Sequence, residues 1–129
     1  MQQVRSLGSA KIISLNKNKI LNKLRKIMEK IKNIDKDNLL DIILFGSLAK
    51  GDFTGLSDLD IAIILKNSDL NFIERIKKYI KYFDIEIPVD IFVYTISEVE
   101  KMKKEKNYFI NEIINNGISL LKSWIEKII

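Results

Sequence analysis

An α+β (α/β) domain, a single mixed β-sheet flanked by helices, is the fold this chain of 129 residues predicts. Three observations carry it. Strand-like apolar segments alternate with helical periodicities, which calls for one sheet with helices packed against it. About a dozen residues separate the first two strands, near the lower limit for a parallel crossover, so the sheet is expected to be mixed. The 47% apolar content can supply a core, and the length suits one domain over residues 1–129.

Residues 1–16 carry no clear period. From Asn18 to Ile34 the apolar residues Ile20, Leu21, Leu24, Ile27, Met28, Ile31 and Ile34 follow helical spacing with lysines on the other face, which predicts an additional N-terminal amphipathic helix. Leu39 to Phe45 reads as a buried strand interrupted by Asp41 and closed by Gly46-Ser47; Lys50 to Gly55 is turn-rich. Ser57 to Leu65 reads as a second strand, with Asp58, Asp60, Ala62 and Ile64 on one face and Leu59, Ile61, Ile63 and Leu65 on the other. Ser68 is the expected N-cap of a helix to Phe83 with the stripe Leu70, Ile73, Ile76, Ile80 and Phe83.

Pro88 marks the start of a third strand, Val89 to Tyr94, since proline is tolerated at a first strand position. Ser97 and Glu100 have capping-box spacing and are expected to open a short charged helix. Phe109 to Ile114 reads as a further helix, Ile118 to Leu121 as an edge strand, and the closing SWIEKII as a helical turn with Trp124 in the core.

With neither cysteine nor histidine, the chain excludes disulfides, thiolate nucleophiles, serine triads and every metal site not built from oxygen ligands. Chemistry falls to carboxylates, hydroxyls, lysines and backbone. Neither an apolar leader nor a membrane-length apolar run is present, and a cytoplasmic protein is expected. The net charge of +5 is uneven: residues 1–38 hold 10 basic and 3 acidic side chains, leaving 12 and 14 in residues 39–129. A basic extension thus precedes a slightly acidic body, residues 39–121. Direct nucleic-acid binding is not expected, because the cluster Lys101 to Lys106 suits a solvated helix face and lacks interleaved aromatics apart from Tyr108 and Phe109.

The informative segment is Gly46-Ser47 followed, after ten residues, by Asp58-Leu59-Asp60. Two carboxylates two apart on a strand share a face at roughly 6–7 Å between Cα atoms. Like charges so close raise each other's pKa unless a cation lies between them, and oxygen ligation suits Mg²⁺ or Mn²⁺. Asp90, near the start of the third strand, is a third carboxylate that an adjacent strand could bring to a two-metal site for nucleotidyl transfer. Gly46-Ser47 can offer backbone N–H groups and a hydroxyl to phosphate oxygens. Taken singly, Asp-x-Asp also suits a solvated face, Gly-Ser a plain turn, and Asp90 an exposed edge; their combination points to a site.

That combination resembles the GSx₁₀DxD signature of the minimal nucleotidyltransferases of the polymerase-beta superfamily. Ala49, Gly51 and Ser57 match its fuller pattern, and the resemblance runs from Leu39 to Leu121. It implies a nucleotidyltransferase fold in which Asp58, Asp60 and Asp90 are catalytic and hold two Mg²⁺ ions, while Gly46, Ser47, Lys50, Gly51 and Ser57 bind the nucleotide. Lys50 stands where relatives often have arginine, keeping the charge without the bidentate grip. The short tail after Leu121 leads to the expectation that a partner supplies the acceptor. Relatives of this kind are commonly antitoxins paired with HEPN-domain toxins, some transferring AMP from ATP to a toxin tyrosine. The alternative is a non-catalytic nucleotide-binding antitoxin or subunit that inhibits its partner by binding. Homo- and hetero-oligomers are both compatible with the sequence.

Overall fold

The computed structural model describes residues 9–46 and 59–121, with side chains from Asn18 onward in the first segment. The elements are α1 (Ser9–Asp35), β1 (Leu39–Phe45), β2 (Leu59–Leu65), α2 (Phe72–Ile80), β3 (Val89–Thr95), α3 (Ile96–Lys104), α4 (Tyr108–Asn116) and β4 (Ile118–Ser119). They form a sheet of order β3-β2-β1-β4. β1 runs antiparallel to β2 and β4, whereas β2 and β3 are parallel, so the sheet is mixed as expected. Among the described residues no helix is long and apolar enough to cross a membrane.

Helices cover both faces of the sheet, which is why β1 and β2 are almost continuously apolar. On the first face Ile20, Leu24, Ile27, Met28 and Ile31 of α1, with Tyr79 and Phe83, pack on Ile42, Leu44, Leu59, Ile61, Ile63, Ile91 and Val93. On the second, Val99 of α3 and Ile110, Ile113 and Ile114 of α4 pack on Ile43, Phe45, Ala62 and Ile64. The two-residue period of β2 therefore divides its side chains as the sequence predicts. α1 starts at Ser9 rather than near Asn18, and its predicted stripe is buried except for Leu21, which is half-buried, and Ile34, which is 57% exposed.

The short β4 is secured by Asp41, a fully buried carboxylate on β1. Its Oδ1 accepts from the Ile42 and Leu121 backbone N–H groups at 2.8 and 2.9 Å, and Oδ2 accepts from the Ser119 hydroxyl. These bonds offset the cost of removing a charge from water, so the residue that interrupts an apolar strand fastens the last one.

Three local expectations are corrected. α2 begins at Phe72, capped by Asn71, whose side chain accepts from the Glu74 N–H at 2.9 Å while Glu74 returns a bond to the Asn71 N–H. Ser68 instead accepts from the Leu70 N–H in a turn before the helix. Ile73 and Ile80 do not join the buried stripe; they are 59% and 40% exposed, while Arg75 and Tyr79 turn inward. Polar contacts set that rotation. Arg75 donates to the Leu70 and Val93 carbonyls and to both Glu98 carboxylate oxygens, and the Tyr79 hydroxyl donates to Asp35 at 2.7 Å. The cap of α3 is Thr95 with Glu98 rather than Ser97 with Glu100, because Glu98 accepts from the Thr95 N–H at 2.8 Å while held by Arg75 at 2.7 Å.

Candidate active site

The strand register brings three predicted site residues to one end of the sheet. Phe45, the last residue of β1, pairs with Asp60 on β2, and Asp60 pairs with Asp90 on β3. Adjacent strands lie about 4.8 Å apart, so the carboxylates of Asp60 and Asp90 occupy neighbouring positions. Both lie on the second face, two residues before Ala62 and Phe92 of that face's core. Asp60 is half-buried and Asp90 exposed.

Gly46 leaves β1 with φ +78°, a left-handed conformation that costs an ordinary L-residue about 1–2 kcal/mol. A Cβ at this position would overlap Asp60 Oδ2 and lie 3.2 Å from its Cγ. Glycine is thus required by both backbone conformation and the space the Asp60 carboxylate occupies.

Beneath the carboxylates lies an aromatic floor. The Phe45 ring sits 5.8 Å from Phe92 and 5.5 Å from Phe109, and Phe92 and Phe109 are 5.0 Å apart. Ala62, between Ile43 and Phe92 in the register, leaves room for rings from β1 and β3, the strands on either side, to meet over β2. Phe45 is buried, and Phe92 and Phe109 are half-buried, so this end of the sheet carries an apolar cluster on the same face as Asp60 and Asp90. Sequence reading missed it; its signals were phenylalanines directly before Gly46 and two residues after Asp90.

Asp58, Ser47, Lys50, Gly51 and Ser57 lie outside the described residues, as does Trp124. Among the described residues no group of three or more potential metal ligands is assembled; Asp60 and Asp90 are two neighbours. The donor set fits magnesium in kind, being carboxylate oxygen alone, and Gly46 keeps the space beside Asp60 Oδ2 clear of a side chain.

The model of the nucleotidyltransferase domain family matches residues 21–120, from within α1 to the end of the sheet. The chain belongs to that family. A relative in Methanocaldococcus jannaschii, named "Putative protein adenylyltransferase", is 32% identical over 102 residues, covering 78% of this chain and 98% of the relative. A crystal structure described as "a putative nucleotidyltransferase" from Sulfolobus solfataricus superposes with TM-score 0.61 at 22% identity, covering 83% of this chain and 84% of that one. It shares the fold. This nucleotidyltransferase domain includes most of the basic N-terminal helix, since the family match begins at Leu21 and the apolar stripe of α1 is part of the core.

Proposed function

We propose that this nucleotidyltransferase transfers AMP from ATP to a tyrosine hydroxyl of a partner protein, with magnesium or manganese required. In this reading it is a minimal nucleotidyltransferase acting as a cytoplasmic antitoxin, and its partner is a HEPN-domain toxin silenced by the modification. The observation that carries the chemistry is the pairing of Asp60 with Asp90 at the strand end where Gly46 packs against the Asp60 carboxylate. The relative's printed name, over nearly its whole length, supports a protein acceptor.

Asp58, Asp60 and Asp90 would hold the metal ions, which when bound neutralise charge on the triphosphate and on the leaving group. Gly46, Ser47, Lys50, Gly51 and Ser57 would bind the nucleotide, Gly46 and Ser47 through phosphate oxygens and Lys50 through its positive charge. Asp90, the outermost carboxylate, takes the proton of the attacking hydroxyl. The acceptor oxygen then bonds to the α-phosphorus, the bond to the β-phosphate oxygen breaks, and pyrophosphate leaves.

The test is to incubate the chain with α-labelled ATP, Mg²⁺ and the partner. Label is expected on a partner tyrosine with the native chain, and Asp60→Asn or Asp90→Asn should lower the rate by about a thousandfold or more. Equal labelling by these variants would sink the reading. Tight inhibition of the partner without any labelling would favour the binding-only alternative.

A further inference from the structure

The proposed reaction needs an acceptor carried by another protein, and the surface beside the carboxylate end shows what chemistry that protein presents. Lys19, Lys23, Lys26 and Lys30 of α1 recur at i, i+4, i+7 and i+11, so they form one stripe along the helix. Lys19, Lys26 and Lys30 are exposed and Lys23 is half-exposed. None of the four has an ion-pair partner among the described residues. Glu29 stands four residues after Arg25 and three from both Lys26 and Lys32. The lysines repel one another at their spacings, and no ion pair among the described residues engages them.

The stripe starts at the same end of the sheet as the candidate site but on the opposite face, since α1 packs on the first face and Asp60 and Asp90 lie on the second. Lys19 and Lys23 border a groove of about 90 Å³ completed by Ile20, Ile85, Glu86 and Ile87. The chain runs from Ile87 through Pro88 and Val89 directly to Asp90. The Pro88 carbonyl accepts from the Leu59 N–H at 2.8 Å, which pins this segment to the start of β2 beside Asp60. The groove therefore lies at the carboxylate end of the sheet, on the face opposite Asp60 and Asp90, lined by three isoleucines and by Lys19 and Lys23.

We infer that stripe and groove together form a docking track for an acidic segment of the partner protein. An apolar side chain of that segment sits on Ile20, Ile85 and Ile87, and its carboxylates lie along Lys19, Lys23, Lys26 and Lys30. From Lys19 to Lys30 the helix advances about 16 Å, the span of about five extended residues. A protein segment suits the groove better than RNA, because among the described residues its lining offers isoleucine and no aromatic ring on which a base could stack. The inference rests on the protein-acceptor reading above; docking on this track would tether the partner at the end of the sheet that carries Asp90.

A fluorescent, glutamate-rich peptide of about ten residues with one central leucine, titrated with the full chain in the absence of ATP, tests the track. Binding should weaken as salt is added. Replacing Lys19, Lys23, Lys26 and Lys30 together by glutamate should weaken it at least about tenfold, while Glu86→Lys, which removes the negative charge at the groove, should tighten it. Circular dichroism reports whether the fourfold variant is folded, and Glu86→Lys keeps the test decisive if it is not. Peptide affinity unchanged in both variants would overturn the track, as would tighter binding of a single-stranded RNA of matched charge. Asp60→Asn should leave peptide affinity intact, so a failure of the transfer reaction and a failure of the track are separately visible.

Discussion

The two ends of the sheet treat carboxylates in opposite ways. At the end where β3 finishes, Glu98 is clamped by Arg75 at 2.7 Å and by the Thr95 N–H at 2.8 Å. Near the start of β1, Asp35 accepts from the Tyr79 hydroxyl at 2.7 Å and pairs with Lys78 at 3.1 Å. Burial alone would push both carboxyls up, but these donors and cations hold them below their usual values. Burial, then the bond to Asp35, pushes the Tyr79 hydroxyl up, and burial with the nearby Glu98 charge pushes Tyr94 up. At the other end Asp60 faces a second carboxylate, Asp90, across the strand register. Asp90 has no ion-pair partner among the described residues. Carboxylates matched with donors and cations hold the fold together at one end; at the other, two carboxylates occupy neighbouring register positions.

The loss of transfer in Asp60→Asn and Asp90→Asn is the largest effect this contrast predicts, and for the exposed Asp90 it should come without a fall in melting temperature, since that change removes a like-charge repulsion. At the opposite end the sign reverses. Arg75→Ala should cost about 2 kcal/mol in urea unfolding, because it strands the Glu98 carboxylate and the Val93 carbonyl; the partial exposure of Glu98 keeps the figure below that of a fully buried pair. Transfer per folded molecule should be retained.

Gly46→Ala joins the two kinds of effect. Left-handed strain should remove about 1–2 kcal/mol of stability, and the new methyl group must displace the Asp60 carboxylate. Urea unfolding and the labelling assay should both register a loss, and a variant that keeps full transfer would contradict the geometry at this strand end. The smallest effect is pH-dependent. Asp35 and Glu98 titrate lower folded than unfolded, so their contribution is complete above their ordinary values of 3.8 and 4.5 and is lost as pH falls through the folded values. Acid melts should show Glu98→Gln losing less stability than the native chain over that range.

Much of this was legible in the sequence, for reasons that can be named. The strict alternation of β2 showed that Asp60 shares a face with Ala62 and Ile64, because a strand offers only two faces. The dozen-residue gap before β2 pointed to a mixed sheet, and β1 and β2 are indeed not parallel. What the sequence did not show was register: only the pairing of Leu59 with Val89 makes Asp60 and Asp90 neighbours. The rotation of α2 was hidden too, because apolar spacing favoured Ile73 and Ile80, while the buried partners of Arg75 and Tyr79 lie far along the chain on Glu98 and Asp35. The phenylalanine floor needed the same long-range information, since Phe109 reaches Phe45 from another helix.

The central claim is that the strand-end carboxylates are arranged to take up an external cation. Its most direct test is the melting temperature of the native chain and of Asp60→Asn as Mg²⁺ is added without nucleotide. A ligand that binds only the folded state stabilises it by RT ln(1 + [L]/Kd), about 2.7 kcal/mol at a hundredfold excess over Kd. The native chain should therefore melt progressively higher with Mg²⁺, and Asp60→Asn should not respond. An equal rise in both proteins, or none in the native chain at magnesium concentrations that support transfer, would contradict the account.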